Sequence, residues 1–167
     1  MSRRSSALRV RSLCVSLGLL AAISLVGAGL ADPARADEKL RPQERAAFQM
    51  RVLQSDMMVG ALLCGLNQQY DDAVRRFRPE MVANARHLRS YFDRTYGRRG
   101  QVELDRFVTV LANRASTRAT TLGGLFCAEA IGLMNAVLAL PENGLGMFSQ
   151  NTMGMPDLSV TTTASAR

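Results

Sequence analysis

"MMVGALLCGLNQQYDD", residues 57–72, holds a helix end, a turn and a helix start in one short run. Apolar residues lead into Cys64. Gly65 then stands where a left-handed residue closes a helix, and Leu66 is placed to pack back on it. Asn67 reads as the N-cap of the next helix. Working backwards, Pro42 suits a first helical position and Glu44 suits the positive end of the helix dipole. Phe48, Val52, Met58, Ala61 and Leu62 recur at helical spacing, so a first helix is expected over residues 42–63.

Working forwards, a second helix is expected from Asn67 to the "GRRG" turn at 97–100. Pro79 interrupts it by removing a backbone donor and disfavouring helical angles at Arg78. Beyond the proline, Met81, Ala85, Leu88 and Phe92 form an apolar stripe. A third helix is expected over 101–119, with Leu104, Phe107, Val108, Leu111 and Ala115 facing inward. Glu103 and Asp105 near its start and Arg114 and Arg118 toward its end complement its dipole. "TTLGG" breaks the chain again. A fourth helix is expected over 125–140, on Phe126, Ala130, Met134, Val137 and Leu138, and Pro141 stops it. No strand signal competes. The remainder, 141–167, is rich in Gly, Ser, Thr and Asn without a sustained period and reads as a flexible tail. The expected fold is all-α: an up-down four-helix bundle with a kinked second helix, one disulfide and a disordered C-terminal tail.

The N-terminus has the three-part pattern of a secretory signal. Arg3, Arg4, Arg9 and Arg11 precede an apolar run over 13–30, and Ala34-Arg35-Ala36 offers small residues for cleavage after Ala36. The apolar run, about 18 residues, is borderline for a membrane span, so an uncleaved anchor is the rival. Cys14 lies inside that run and leaves with the signal. The expected organisation is a signal peptide at 1–36, a helical domain at 37–140 and the tail at 141–167. The whole chain carries a formal charge of +7, of which residues 1–36 hold five arginines against one aspartate. The mature charge is therefore mild and gives no argument for nucleic-acid binding.

Removal of the signal leaves two cysteines, Cys64 and Cys127. In an oxidising compartment an even pair reads first as a disulfide. In an up-down bundle the end of the first helix and the start of the fourth share a pole, which allows the bond. If Pro79 instead reversed the chain, the two ends would lie about 25–30 Å apart. The disulfide and the four-helix reading thus support each other.

The most visible charge feature is on the second helix, with Arg75, Arg76, Arg86 and Arg89 as candidate anion- or partner-binding residues. Asp71 precedes Arg75 by four residues, Asp72 precedes Arg76 by four, and Arg89 precedes Asp93 by four. Ordinary intrahelical pairing is therefore the competing account. His87 is the sole histidine and has no accompanying ligands. A haem held by His87 and one of Met50, Met57 or Met58 is weighed and set aside, because methionine commonly fills core gaps. Met147, Met153 and Met155 are weak candidates for soft Cu(I) ligation. No nucleophile elbow, zinc-hydrolase, phosphate-loop or haem-attachment motif is present.

The stretch from "LQSDMMVGALLCG" through "YDDAVRRFRPEMVANARHLRSYFDRTYG" to "LDRFVTVLANRAS" resembles a group of small exported helical proteins of alphaproteobacteria without an assigned activity. The resemblance covers roughly residues 53–127. It implies compartment and fold and brings no catalytic residues. The functional expectation is a periplasmic, non-enzymatic binding or interaction module without a cofactor, meeting a protein or the envelope surface, with membrane-surface contact allowed. Two alternatives remain: a small-ligand or copper carrier using the tail methionines or a bundle cavity, and an enzyme of unrecognised type. A pocket holding perturbed carboxylates would favour the enzyme.

Overall fold

The computed structural model of the protein describes residues 40–158. The expected signal peptide and the last part of the expected tail, 159–167, lie outside the described residues. All regular structure among the described residues is helical: α1 (Pro42–Cys64), α2 (Asn67–Tyr96), a 3₁₀ turn (Gly97–Arg99), α3 (Gly100–Leu122), α4 (Gly124–Leu138) and α5 (Leu145–Thr152). Helices α1 to α4 form the expected bundle. Cys64, ending α1, is bonded to Cys127, near the start of α4, with Cα atoms 5.4 Å apart. Helix α2 runs unbroken through an exposed Pro79, so the chain is not reversed there.

The turn that decides the topology is built as its residues dictate. Gly65 adopts φ +71°, in the left-handed region. Leu66 is buried and its amide donates to the Ala61 carbonyl at 3.0 Å. Asn67, expected as the N-cap, is instead the first helical residue of α2, and Leu66 takes the cap position without a side-chain bond. Helix α3 extends to Leu122, further than expected. The hydroxyls of Thr120 and Thr121 bond back to the carbonyls of Ser116 and Thr117, the local bond that these side chains make inside a helix.

Two expectations need correction. The segment from Pro141 is not a featureless tail, because it carries α5 and then an extended strap, residues 153–158. Glu80 of α2 caps α5, accepting the Gly146 amide at 2.8 Å and the Leu145 amide at 3.4 Å. Leu145 and Ser149 are fully buried, and Phe148 packs against the same cluster. A helix this short is marginal alone, and tertiary burial holds it. The second correction concerns α1. Its expected stripe is only partly right: Phe48 and Ala61 are buried, but Leu62 is 69% exposed, while Met50, Leu53, Met57 and Val59 are buried. Helix α1 packs against α2, α3, α4 and α5. No residue from Glu44 to Ala61 is exposed. A single apolar stripe cannot describe a helix surrounded on every side.

The core falls into three clusters. At one end Phe48 packs edge-on to Tyr91 and Phe107, with Phe92 beside them. Along the middle, Met50, Leu53 and Met57 meet Phe77 of α2, Met134 and Val137 of α4 and Leu145 of α5. Val59, Ala115 and Phe126 form a small third cluster beside the disulfide. Near it α1 and α4 approach so closely that a Cβ on Gly60 would lie 2.9 Å from the Cβ of Ala130.

Replacing Cys64 and Cys127 together by alanine is expected to lower stability by about 4 kcal/mol, the loop-closure value for this separation, read as a reduced urea midpoint. Gly60→Leu is expected to lower stability by about 2 kcal/mol through overpacking against Ala130, whereas the same change at the exposed Gly132 should be nearly neutral in the same assay.

Candidate functional site

The polar residues of α1 mark where the molecule has room. A helix enclosed by four others must direct Arg51, Gln54, Ser55 and Asp56 into the seams between its neighbours. Ser55 and Asp56 point into the larger seam, a groove of about 950 Å³ between α1, α3, α4 and the strap. Val52, Leu111, Leu122 and Leu133 give it apolar walls, and Thr117, Thr121, Arg114, Arg118 and Glu129 give it a polar side. Met153, Met155 and Pro156 form the rim contributed by the strap. Gln49 of α1 fixes that rim by donating to the Met153 carbonyl at 2.8 Å and the Gln150 carbonyl at 3.2 Å.

Two groups in the groove are poorly satisfied by the protein itself. Ser55 is 2% exposed and its hydroxyl has no hydrogen-bond partner. Such a group carries a desolvation penalty unless something completes it. Asp56, with a side chain 13% exposed, meets Arg118 at a long 3.3 Å. Burial pushes its carboxyl above the usual value, and the guanidinium groups of Arg118 and Arg114 offset this only in part. Arg118 is shared: it lies over the Phe126 ring at 5.6 Å and 3.9 Å from Glu129.

The groove therefore holds one perturbed carboxylate, the feature that would favour an enzyme. Its surroundings do not assemble the rest of a catalytic set. Ser55 has no base within hydrogen-bond reach, and neighbours one residue apart on a helix do not face each other. His87 is exposed on α2. The arrangement can hold a polar group against Asp56 and Arg118 and an apolar body against the walls.

The arginines singled out from the sequence are divided by the fold. Arg75, Arg86 and Arg89 share one face of α2 together with Arg78. Arg75 pairs with Asp72, not with Asp71 as the spacing had indicated. Arg89 pairs with Asp93 at 2.9 Å, as expected, and also reaches Gln101. Arg76 lies off that face and does not pair with Asp72. It caps α4, donating to the carbonyls of Leu138 at 2.7 Å and Leu140 at 2.5 Å, where the dipole is negative. Arg78 and Arg86 make no ion pair among the described residues.

The methionines are scattered. Met147 is 70% exposed on α5, Met153 packs against the middle cluster and Met155 against the aromatic one. Met50 and Met57 are core residues at 1% exposure, which explains them without a haem. Among the described residues no group of three or more His, Cys, Asp and Glu is placed to hold a metal ion, and no helix is long and apolar enough to cross a membrane.

Sequence reasoning overlooked Arg51, Ser55 and Asp56. The available signal was their position inside a helix that is otherwise apolar, "MRVLQSDMMVGALL". Compared with protein-family models, curated proteins and solved structures, the chain matches none.

The raised Asp56 carboxyl has a signed consequence. Its folded pKa lies above its ordinary 3.8, so its contribution to stability is complete below that value and is lost as pH rises through the folded pKa. Asp56→Asn should remove this dependence. Denaturation between pH 3 and pH 7 is expected to show the variant gaining on the native protein as pH rises; a difference unchanged across that range would mean that Asp56 has no raised pKa.

Proposed function

We propose that the protein is an exported, periplasmic binding module without catalytic activity, and that the groove between α1, α3, α4 and the strap takes an amphipathic small molecule. The observation that carries this reading is the loosely paired Asp56 carboxylate, its pKa raised by burial, in a groove with apolar walls whose lining also holds the orphaned Ser55. The volume falls within the range of small-molecule sites, roughly 300–1,000 Å³. Export is supported by the three-part N-terminal pattern and by a disulfide that persists in oxidising compartments. This reading takes the bundle-cavity alternative forward over the arginines of α2, of which Arg75, Arg76 and Arg89 already serve intramolecular contacts.

A second reading has one observation in its favour. Arg78 and Arg86 stand unpaired on the same face as the exposed Val82, and a face of that kind suits an acidic protein or an anionic envelope surface.

Expression with the native N-terminus into a periplasm, followed by native mass spectrometry, tests the first reading. The expected product starts at Asp37, contains a closed disulfide and carries a small-molecule adduct. Leu133→Trp, which fills the groove, should remove the adduct while leaving the helical circular dichroism intact. An adduct that persists in Leu133→Trp, or protein that stays bare after incubation with periplasmic extract, would overturn the groove reading. Binding to anionic vesicles that Arg78→Glu with Arg86→Glu abolishes would move the second reading to the front.

A further inference from the structure

On the other side of α1 lies a smaller cleft of about 260 Å³, between α1, α2 and α3. Its walls are mostly apolar, with Met50 from α1, Leu88 from α2 and Leu104 and Val108 from α3. Four polar side chains line it from three helices: Arg51 and Gln54 from α1, Asn84 from α2 and the exposed Asp105 from α3.

Arg51 is the group that the fold leaves incomplete. One terminal nitrogen donates to the Gln54 side-chain oxygen at 3.1 Å. Its Nε is buried without a partner. Arg51 makes no ion pair among the described residues. This sets it apart from the other enclosed charges: Glu44 is met by Arg94, and Glu103 by Arg99 and Arg106. A guanidinium taken from water without a counter-charge is costly, and burial lowers the Arg51 pKa in keeping with this. The idle Nε edge of a guanidinium is the one that, with the adjacent terminal nitrogen, matches the two oxygens of a carboxylate.

We propose that this cleft is a second binding site, for a monocarboxylic acid with a short apolar body, whose carboxylate pairs with Arg51 while its hydrocarbon part lies against Met50, Leu88 and Val108. The class follows from the lining. The volume lies below the range of pockets for drug-sized ligands, which selects a short chain. Asp105 stands on the rim of the same cleft, and its charge disfavours a dianion such as a phosphate monoester. Asn84 donates one amide hydrogen to the Glu80 carbonyl at 2.9 Å, which leaves its second N–H to donate to a carboxylate oxygen. The flexible stem of Arg51 lets its head turn toward the cleft mouth as the acid enters. The site is separate from the groove and does not depend on it.

The test is titration of the full mature protein with sodium octanoate, followed by amide chemical shifts. Saturable shifts confined to residues 47–54, 84–88 and 104–108 are expected. Arg51→Met should weaken binding at least tenfold, and octan-1-ol should bind at least tenfold more weakly than octanoate. Ala85→Phe narrows the cleft without touching the guanidinium and should abolish binding in a protein of unchanged helicity. Shifts confined to 110–122 and 152–156 would place the acid in the groove and overturn the proposal. Octanoate binding unaffected by Arg51→Met, phenyl phosphate binding more tightly than octanoate, or no saturable shift at 10 mM octanoate would equally overturn it.

Discussion

Helix α1 has no solvent face along its middle, and that constraint organises the molecule. Every residue from Glu44 to Ala61 is buried or half-buried, yet the run contains Glu44, Arg45, Gln49, Arg51, Gln54, Ser55 and Asp56. A polar side chain on an enclosed helix needs an internal partner, or it must reach a seam where water or a ligand can enter. Glu44 and Gln49 take the first course. The Arg41 amide and the Arg94 guanidinium overcome the effect of burial on Glu44 and hold its carboxyl below the usual value. Gln49 ties down the strap. Asp56 is met by Arg118 only at 3.3 Å, and Arg51 and Ser55 keep buried polar atoms without a partner in the linings of the two clefts.

The same economy of internal pairing explains why an arginine-rich chain does not present a uniform basic surface. Arg94 reaches from α2 to the start of α1, Arg76 from α2 to the end of α4, and Arg118 from α3 to the middle of α1. Each holds two elements in register through charge-assisted bonds with specific geometry. Glu103, fully buried in the first turns of α3, is clasped by Arg99 and Arg106. Many arginines here join the helices of the bundle, while on α2 Arg78 and Arg86 make no ion pair among the described residues.

The enclosure of α1 depends on a segment with little intrinsic tendency to order. Helix α5 and the strap cover the side of α1 that a plain four-helix bundle would leave open, and the strap then forms one wall of the groove. The segment is held by Glu80 at its start, Leu145 beneath it and Gln49 at its end. Core and groove are in this way made by the same contacts. The disulfide and the Gly60–Ala130 approach hold α4 against α1.

What the chain determined by itself is local. Gly65 and Leu66 ended one helix because a left-handed residue followed by an apolar one closes a helix in any setting. The stripes of α3 and α4 were legible because each of those helices faces the core on one side, as Phe107, Leu111, Phe126 and Met134 do. Two cysteines in a four-element order sufficed for the disulfide, since helix polarity alone brings those ends together. Only the tertiary structure could decide the rest. Whether Leu145 anchors a helix or sits in a loose tail depends on Glu80, which lies far away in sequence. Whether Arg76 meets Asp72 or the carbonyls of α4 depends on where α4 ends. The candidate sites belong to this second class, because the incompleteness of Arg51 and Ser55 consists in what their neighbours fail to offer, and a sequence specifies its neighbours only through the fold.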